Sequence, residues 1–460
     1  MNANIFRAYD IRGVADRDLT DDVATAIAQA IGTMAIQRGC KPVFALGRDA
    51  RLSSPRIHAA FVRGLLSTGI AIRDIGVVAT PMLYFSVHNL DVGGGIMITG
   101  SHNPGEDNGC KVMLGLSTLH GEEIQEVRQL AQSGQFSAAK QLAAVENVDI
   151  HTPYANWLVS HIHLGERPLN VVVDCGNGPT GPISPVILER LGCKVTALFT
   201  EPDGHFPNHH PDPTVEKNLL DLRKAVAEQH ADVGIAYDGD GDRIGVLDEK
   251  GRVLWGDRLM IILSRALLQA EPGAAIVGEV KCSQTLFDDI ALHGGRPVMS
   301  KVGHSLIKDR MKQEHALLAG EMSGHIFYKH RYFGYDDATY ASCRLLEILS
   351  HHTGPLSTLL DGVPETFATP ELRLNCPEEL KFSVVQAVTE QYRGTHEVID
   401  IDGARVKFAD GWGLVRASNT GPILVMRCEA TSPEARDRIR AELTAAIEQA
   451  AGRPVTESGH

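Results

Sequence analysis

Three aspartates at alternate positions, Asp238, Asp240 and Asp242, occupy the stretch YDGDGDR, where two glycines let the chain curl. Crowded carboxylates repel, and two like charges about 4 Å apart cost about 4 kcal/mol at an effective dielectric near 20. A hard divalent cation relieves that cost, and an all-oxygen ligand set suits Mg²⁺ or Ca²⁺. A solvated acidic turn is the plainer reading, yet apolar strand-like runs flank the loop on both sides. Upstream, Ser101 ends the apolar run GGGIMITG and is followed by His102 and, ten residues on, by Lys111. A loop serine often does no more than cap a turn. One that carried a phosphoryl group would need a cation and basic side chains beside it, and the aspartate loop with Arg243 could supply both. The chain has no GxSxG elbow, which sets a serine hydrolase aside.

Further polar loops offer recognition chemistry. In RASNTGP, Arg416 presents a planar fork for phosphate oxygens, with Ser418, Asn419 and Thr420 as neutral donors. An ordinary hairpin with a surface arginine reads equally well. GEMSGH sets Glu321, Ser323 and His325 at alternate positions, a pattern suited to the vicinal hydroxyls of a sugar and also to a merely solvated loop. His304, in KVGHS, stands at an apparent helix start, where it could meet an anion or simply cap. Lys281, just after the run GAAIVGEV, is open in the same way.

The aspartate loop has two other readings. An EF-hand also carries acids at its first, third and fifth positions, and Glu249 falls at the twelfth. Its sixth position should be glycine and is Arg243, and its flanks should be helices where this chain has strands. A phosphatase of the haloacid-dehalogenase type places a DxD after a strand and uses the first aspartate as nucleophile. That reading remains a competitor.

These loops need strands to hold them. Runs at 41–47, 71–78 and 93–100 read as strands, with helical patterns at 54–68 and 80–89 between them. The pattern recurs with LNVVVDCG, CKVTALF and ADVGIAYD around helices at 181–191 and 217–229, and again with GAAIVGEV, RPVMS and ALLAGEMS around helices at 283–293 and 304–314. It describes an α/β chain of three similar mixed α/β domains, 1–149, 150–252 and 253–364. GPLSTLLDGVPETFATP reads as a linker into a smaller C-terminal α+β domain, 365–460, with a helix at 377–391, a strand meander and a closing helix from about 432. The last strand of each α/β unit runs into a polar loop, and ligands in open α/β sheets sit beyond the carboxyl ends of strands. The loops can therefore face one central cleft.

Composition bounds the function classes. With 43% hydrophobic and 22% charged residues the chain reads as globular, and its 460 residues call for three or four cores. A net charge of −13 disfavours a nucleic-acid surface. No apolar run reaches the roughly 18 residues of a membrane span, and MNANIFRAYDIRG carries no signal pattern. A cytoplasmic protein is expected. The eight cysteines are scattered without a CxxC pair and read as buried reduced thiols.

The ordered set AYDIRG, TGSHNP, DGDGDR, KVGH, GEMSGH and RASNTGP, which spans nearly the whole chain, resembles the α-D-phosphohexomutase family, especially its bacterial phosphomannomutase/phosphoglucomutase branch. The resemblance implies four domains around a deep cleft and interconversion of hexose 1-phosphate and hexose 6-phosphate, for mannose, glucose or both, through a hexose 1,6-bisphosphate. It implies that Ser101 is the phosphoserine and that Asp238, Asp240 and Asp242 hold Mg²⁺ with Ser101 completing the set. Lys111 is similar to the general acid/base, which as a base calls for a lowered pKa, and Arg243 and His304 match cleft residues near the reacting groups. Glu321, Ser323 and His325 resemble the hydroxyl-reading loop, and Arg416, Ser418, Asn419 and Thr420 the clamp for the other phosphate. Tyr9, Arg12, His102 and Lys281 match further cleft positions. Gly100 stands where many members have alanine, which implies a slightly looser backbone. Met322 favours the hexose branch over the phosphoglucosamine mutases, which remain an alternative, as does a non-catalytic sugar-phosphate binding protein. With all these loops on one chain, a monomer is expected.

Overall fold

The computed structural model describes residues 1–139, 143–418 and 421–457. Four helices open on a Ser-Pro or Thr-Pro pair, Ser54-Pro55, Thr80-Pro81, Ser184-Pro185 and Ser432-Pro433. Proline suits the first helical turn because its missing N–H would have no partner there. Helices 54–68, 80–89 and 304–314 occupy the ranges that the apolar spacing predicts.

The first sheet runs in the order Ile11–Val14, Asp107–Leu114, Gly94–Ile98, Val43–Arg48, Ala71–Val77, Val145–Asn147. Its central strands are parallel, and Asp107–Leu114 returns antiparallel beside Gly94–Ile98, with Met97 opposite Lys111. The second sheet repeats the device. Val233–Tyr237 pairs parallel with Asn170–Asp174 and antiparallel with Ile244–Leu247. In the third, Leu318–Gly320 pairs parallel with Ala275–Glu279 and antiparallel with Ile326–Tyr328. In the first three units the loops of TGSHNP, DGDGDR and GEMSGH are thus each the turn of a hairpin that begins at the carboxyl end of a parallel strand. The return strands are an addition to the sequence expectation.

The fourth sheet is antiparallel throughout, with Ile423–Ala430 beside Gly411–Ala417, and the helices Lys381–Arg393 and Pro433–Ala451 pack on it. The stretch expected to be a linker is more ordered than its Pro, Gly and Thr content suggests. It contains a 3₁₀ turn, Leu356–Leu360, and a short strand, Phe367–Ala368, that pairs with Ile423–Ala430. Leu356 is buried, so tertiary packing overrides the local composition.

One apolar core runs through the first three units. It joins Met97 and Met113 under the first sheet to Ile235 and Tyr237 in the second and to Leu263 and Leu345 on helices of the third. The opposite face of the first sheet and the fourth unit each have a core of their own. The third and fourth units meet over a small apolar seam of Val280, Trp412 and Leu414. There the fully buried Arg405 lies 3.7 Å from the Trp412 ring centroid and donates to the Cys282 carbonyl at 2.9 Å. No helix among the described residues is long and apolar enough to cross a membrane.

Candidate active site

The hairpin turns of the first two units meet at Ser101. Its hydroxyl donates to Asp238 Oδ2 at 2.9 Å and lies 3.1 Å from His102 Nδ1. Gly239 makes the approach possible, because a Cβ there would stand 2.3 Å from the Ser101 carbonyl oxygen. Ser101 has a φ of 49°, a left-handed conformation that costs a non-glycine residue energy and persists only where the surroundings enforce it.

A residue outside the sequence reading supplies that enforcement. Arg51 is fully buried and donates to the carbonyls of Ser101 at 2.7 Å, Asn103 at 2.6 Å and Asp107 at 2.9 Å, and also to that of Pro104. Asp49 lies 3.3 Å from Arg51 Nε and accepts from the Gly100 N–H at 3.1 Å. Gly100 therefore does not loosen the loop. A Cβ at that position would lie 2.5 Å from the Arg51 guanidinium carbon, so glycine is what lets the guanidinium sit there.

Asp238, Asp240 and Asp242 are wholly buried, and a ligand oxygen of each lies within 4.8 Å of the others. Asp240 Oδ1 and Asp242 Oδ1 have no hydrogen-bond partner among the described residues. Unpartnered anionic oxygens in a dry site are costly, and a divalent oxygen-seeking cation fits this set. Burial and then the Asp242 and Asp240 charges push the Asp238 carboxyl well above the usual carboxylate range. Asp240 is held below that range because Lys111, together with hydrogen bonds, outweighs its burial. Lys111 Nζ donates to Asp240 Oδ2 at 2.7 Å and to Asp242 Oδ2. Burial alone would lower the Lys111 pKa, but the two aspartates overcome it and hold the ammonium well above its ordinary value. The expected lowered pKa is overturned, since the lysine faces Asp240 and Asp242. Thr80, also outside the sequence reading, donates to Asp240 Oδ2 at 2.6 Å from the first turn of its helix.

Arg243 donates through Nε to His325 Nε2 at 2.8 Å, and its Nη1 lies 3.4 Å from His102 Nε2. Burial and then Arg243 depress the His102 pKa, so His102 is neutral beside the Ser101 hydroxyl. His325 Nδ1 stands 2.9 Å from Asp336 Oδ2, and Lys308 donates to Asp336 Oδ1 at 3.2 Å. Asp242, His325 and Asp336 come close enough to hold a metal, but Arg243 and Lys308 already engage that group. His304 lies 5.9 Å from the His325 ring and 6.2 Å from the Tyr9 ring, and burial depresses its pKa strongly. Tyr9 donates to the Val302 carbonyl at 2.9 Å, and Arg12 pairs with Asp10 at 2.6 Å and with Asn103 at 2.7 Å.

In the third loop Glu321 accepts from the Gly303 N–H at 2.8 Å, and Ser323 donates to Glu321 at 3.2 Å. Lys281 bridges to Glu371 at 3.1 Å. Lys281 holds the Glu371 carboxyl down to about 2. In the fourth unit Arg416 donates to Asp402 at 3.1 Å, and Lys381 donates to the Ser418 carbonyl at 2.7 Å. Asn419 and Thr420 lie outside the described residues. Glu371 and Lys381 join Arg51, Thr80, Lys308 and Asp336 as residues that the sequence reading missed. All six lie in stretches whose types look ordinary until the fold brings them to the site.

A hydroxyl beside three carboxylates that could hold a cation, with the buried Lys111 and Arg51 nearby, has the chemistry that moving a phosphoryl group requires. Comparison with known proteins gives that class its family. Profiles described as phosphoglucomutase/phosphomannomutase alpha/beta/alpha domains I, II and III match residues 3–138, 152–251 and 255–367, and the C-terminal domain of the same family matches 371–446. A phosphoglucomutase from Neisseria gonorrhoeae is 46% identical over 448 residues, 97% of each chain. A phosphomannomutase/phosphoglucomutase from Pseudomonas aeruginosa is 44% identical over 439 residues, 95% of this chain and 94% of that one. The crystal structure of a phosphoglucomutase/phosphomannomutase family protein from Burkholderia thailandensis superposes with a TM-score of 0.93, 39% identity and 99% coverage of both chains. The chain belongs to the phosphoglucomutase/phosphomannomutase family, an enzyme family with this four-domain α/β fold.

Proposed function

We propose that this protein is a phosphohexomutase that interconverts the 1-phosphates and 6-phosphates of glucose and mannose through a phosphoserine at Ser101. The observation that carries the reading is the 2.9 Å contact between Ser101 Oγ and Asp238, inside a buried group of three aspartates with two unpartnered oxygens. Asp238, Asp240 and Asp242 would hold Mg²⁺, which when bound neutralises charge on the phosphoryl oxygens.

In the forward direction the bond from Ser101 Oγ to phosphorus breaks and a bond from sugar O6 to phosphorus forms, giving the hexose 1,6-bisphosphate. The O6 proton leaves to a cleft base, and Ser101 Oγ takes up a proton as it departs. After the bisphosphate turns over, the bond from O1 to phosphorus breaks and a bond from Ser101 Oγ to phosphorus forms, the Ser101 hydroxyl gives up its proton and O1 takes one up. Lys111 Nζ, held protonated by its aspartates, suits the proton-donating half of this cycle. Arg243, held by His325, would meet the transferring group, with His102 and His304, whose pKa values burial depresses, near it. Glu321, Ser323 and His325 would read sugar hydroxyls in either orientation. Arg416, Ser418, Asn419 and Thr420 would grip the non-reacting phosphate, with Tyr9, Arg12 and Lys281 lining the approach. Closure of the fourth unit over the bound sugar would keep water from the phosphoserine.

The same reading takes the domains as 1–149, 150–252, 253–364 and 365–460. It makes the chain a monomer, since all the loops lie on one chain, and places it in the cytoplasm, in keeping with eight free cysteines, seven of them buried. The test is a coupled assay with glucose 1-phosphate and mannose 1-phosphate in Mg²⁺ and a trace of glucose 1,6-bisphosphate. Turnover of both is expected. No turnover of either, with turnover of glucosamine 1-phosphate, would replace the hexose assignment.

A further inference from the structure

A cavity of about 500 Å³ lies between the first and third units, lined by none of the three aspartates and not by Ser101. One wall is aromatic. The His88 and Phe333 rings lie 4.7 Å apart and 30° from parallel, and Phe333 and Tyr335 are 5° from parallel. The other wall is cationic, with Lys308, Lys312 and Lys329 against a single carboxylate, Asp309, in a chain whose net charge is −13. Asp309 lies 3.1 Å from His120 and 4.0 Å from Lys312, and Lys308 is paired with Asp336 at 3.2 Å, so three lysines meet two carboxylates and one positive charge is in surplus. Lys312 and Lys329 make themselves felt at His88, whose pKa falls to about 4 through burial first and then these two charges. Tyr84 lines the same cavity but is 1% exposed, and its buried hydroxyl feels the charges of Asp336, Lys111 and Asp242, so the residue sits between the cavity and the reacting centre.

We propose that this cavity binds a small organic anion with a flat aromatic body, and that its occupancy lowers turnover at Ser101. The ring would stack on His88 and Phe333, and the anionic group would take the lysines. The volume falls within the range of small-molecule sites, about 300–1,000 Å³. The route to the reacting centre is short. Lys308 Nζ stands 4.4 Å from the Tyr84 ring centroid and donates to Asp336 at 3.2 Å. Asp336 faces His325 Nδ1 at 2.9 Å, and His325 Nε2 accepts from Arg243 at 2.8 Å. An anion that draws the Lys308 ammonium into the cavity takes a partner from Asp336. That frees the His325 ring and with it the Arg243 fork.

The experiment uses the full chain with Mg²⁺ and naphthoate as the probe, followed by calorimetry and by turnover of glucose 1-phosphate. Saturable naphthoate binding is expected, with naphthol much weaker. It should persist in saturating glucose 1-phosphate and lower kcat without raising KM. The pair Lys312→Ala and Lys329→Ala, both on exposed side chains outside the reacting centre, should weaken naphthoate about fivefold to tenfold, the loss of two half-exposed ion contacts, and leave kcat unchanged. Absence of saturable binding, equal affinity in the double variant, or displacement by glucose 1-phosphate would overturn the site. Binding with kcat unaltered would overturn its link to turnover. The binding arm does not depend on which hexose phosphate the enzyme prefers.

Discussion

Arg51→Lys tests the idea that one buried guanidinium sets the conformation of the serine loop. Arg51 supplies hydrogen bonds to four carbonyls between Ser101 and Asp107. A lysine keeps the charge but has one nitrogen, which cannot reach acceptors spread along the whole turn. Two carbonyls left without a donor in a buried site cost about 1–3 kcal/mol each, so the variant should lose about 2–6 kcal/mol. That is a large part of the roughly 5–15 kcal/mol that stabilises a domain. Activity should suffer beyond stability, because a displacement of about 1 Å at a reacting atom costs on the order of 100-fold in rate. Gly100→Ala supplies the control. Its Cβ would lie 2.5 Å from the guanidinium carbon, an overpacking worth about 1–3 kcal/mol. In the Arg51→Lys background that clash disappears, so the two substitutions should be strongly non-additive, with a coupling of about 0.5–3 kcal/mol. Urea unfolding gives the stabilities, hydrogen exchange over the 99–109 segment gives local order, and kcat gives the functional effect. Unchanged exchange in that segment with kcat within about twofold of the parent, or a Gly100→Ala cost equal in both backgrounds, would refute the reasoning.

Ser101→Ala should retain the fold, since among the described residues the hydroxyl bonds to Asp238 and His102 alone, and lose turnover by at least about 1,000-fold, the scale of losing a covalent nucleophile. The parent incubated with glucose 1,6-bisphosphate should gain one acid-stable phosphoryl group by intact mass and the variant none, whereas an acid-labile adduct would favour an aspartyl phosphate. Thr80→Ala removes the hydroxyl that orients Asp240, and a Mg²⁺ titration of activity should show a loss of about 10–100-fold in apparent affinity or rate. Glu371 is depressed from 4.5 to about 2, chiefly by Lys281. Its contribution is present above the unfolded value and lost as the pH falls from about 4.5 through about 2, with an upper figure of about 3 kcal/mol. Glu371→Gln should flatten the acid limb of stability, and a parallel acid limb in both proteins would exclude this pair as its source.

The parts of the fold that were legible in the sequence are those in which local pattern and burial agree. The run GGGIMITG is apolar without alternation, and the observed strand Gly94–Ile98 is buried on both faces. The helix Ser54–Thr68 has its proline at the first turn and Gly69 at the end with a φ of 94°, so both boundaries are written in residue types. The return strands were harder to see. Asp107–Leu114 begins with Asp, Asn and Gly, turn residues by type, and becomes a strand because it completes the edge of an existing sheet. The site divides in the same way. Asp238, Asp240, Asp242 and Ser101 announce themselves by spacing and context. Arg51 sits in GRDARLSS, which looks like a polar surface loop, and only the closure of the 101–107 turn over it makes it a buried support. The Lys111 pKa could not be read from the sequence either, because its sign depends on which neighbours the amine meets, and those lie more than a hundred residues away.

The division of the apolar interior has a consequence for how the chain tolerates change. Because one continuous core ties the first three units together, a poor fit at Tyr237 or Leu345 is a shared defect, transmitted to units that contain neither residue. The fourth unit, with its own interior and only a narrow seam of Val280, Trp412 and Leu414 to its neighbour, is insulated from such damage. Its position, and so that of Arg416, is set by polar contacts around the seam, among them Arg405 and Arg427 on strand-end carbonyls, Lys281 on Glu371 and Ser283 on Glu429, which can be exchanged without melting either body.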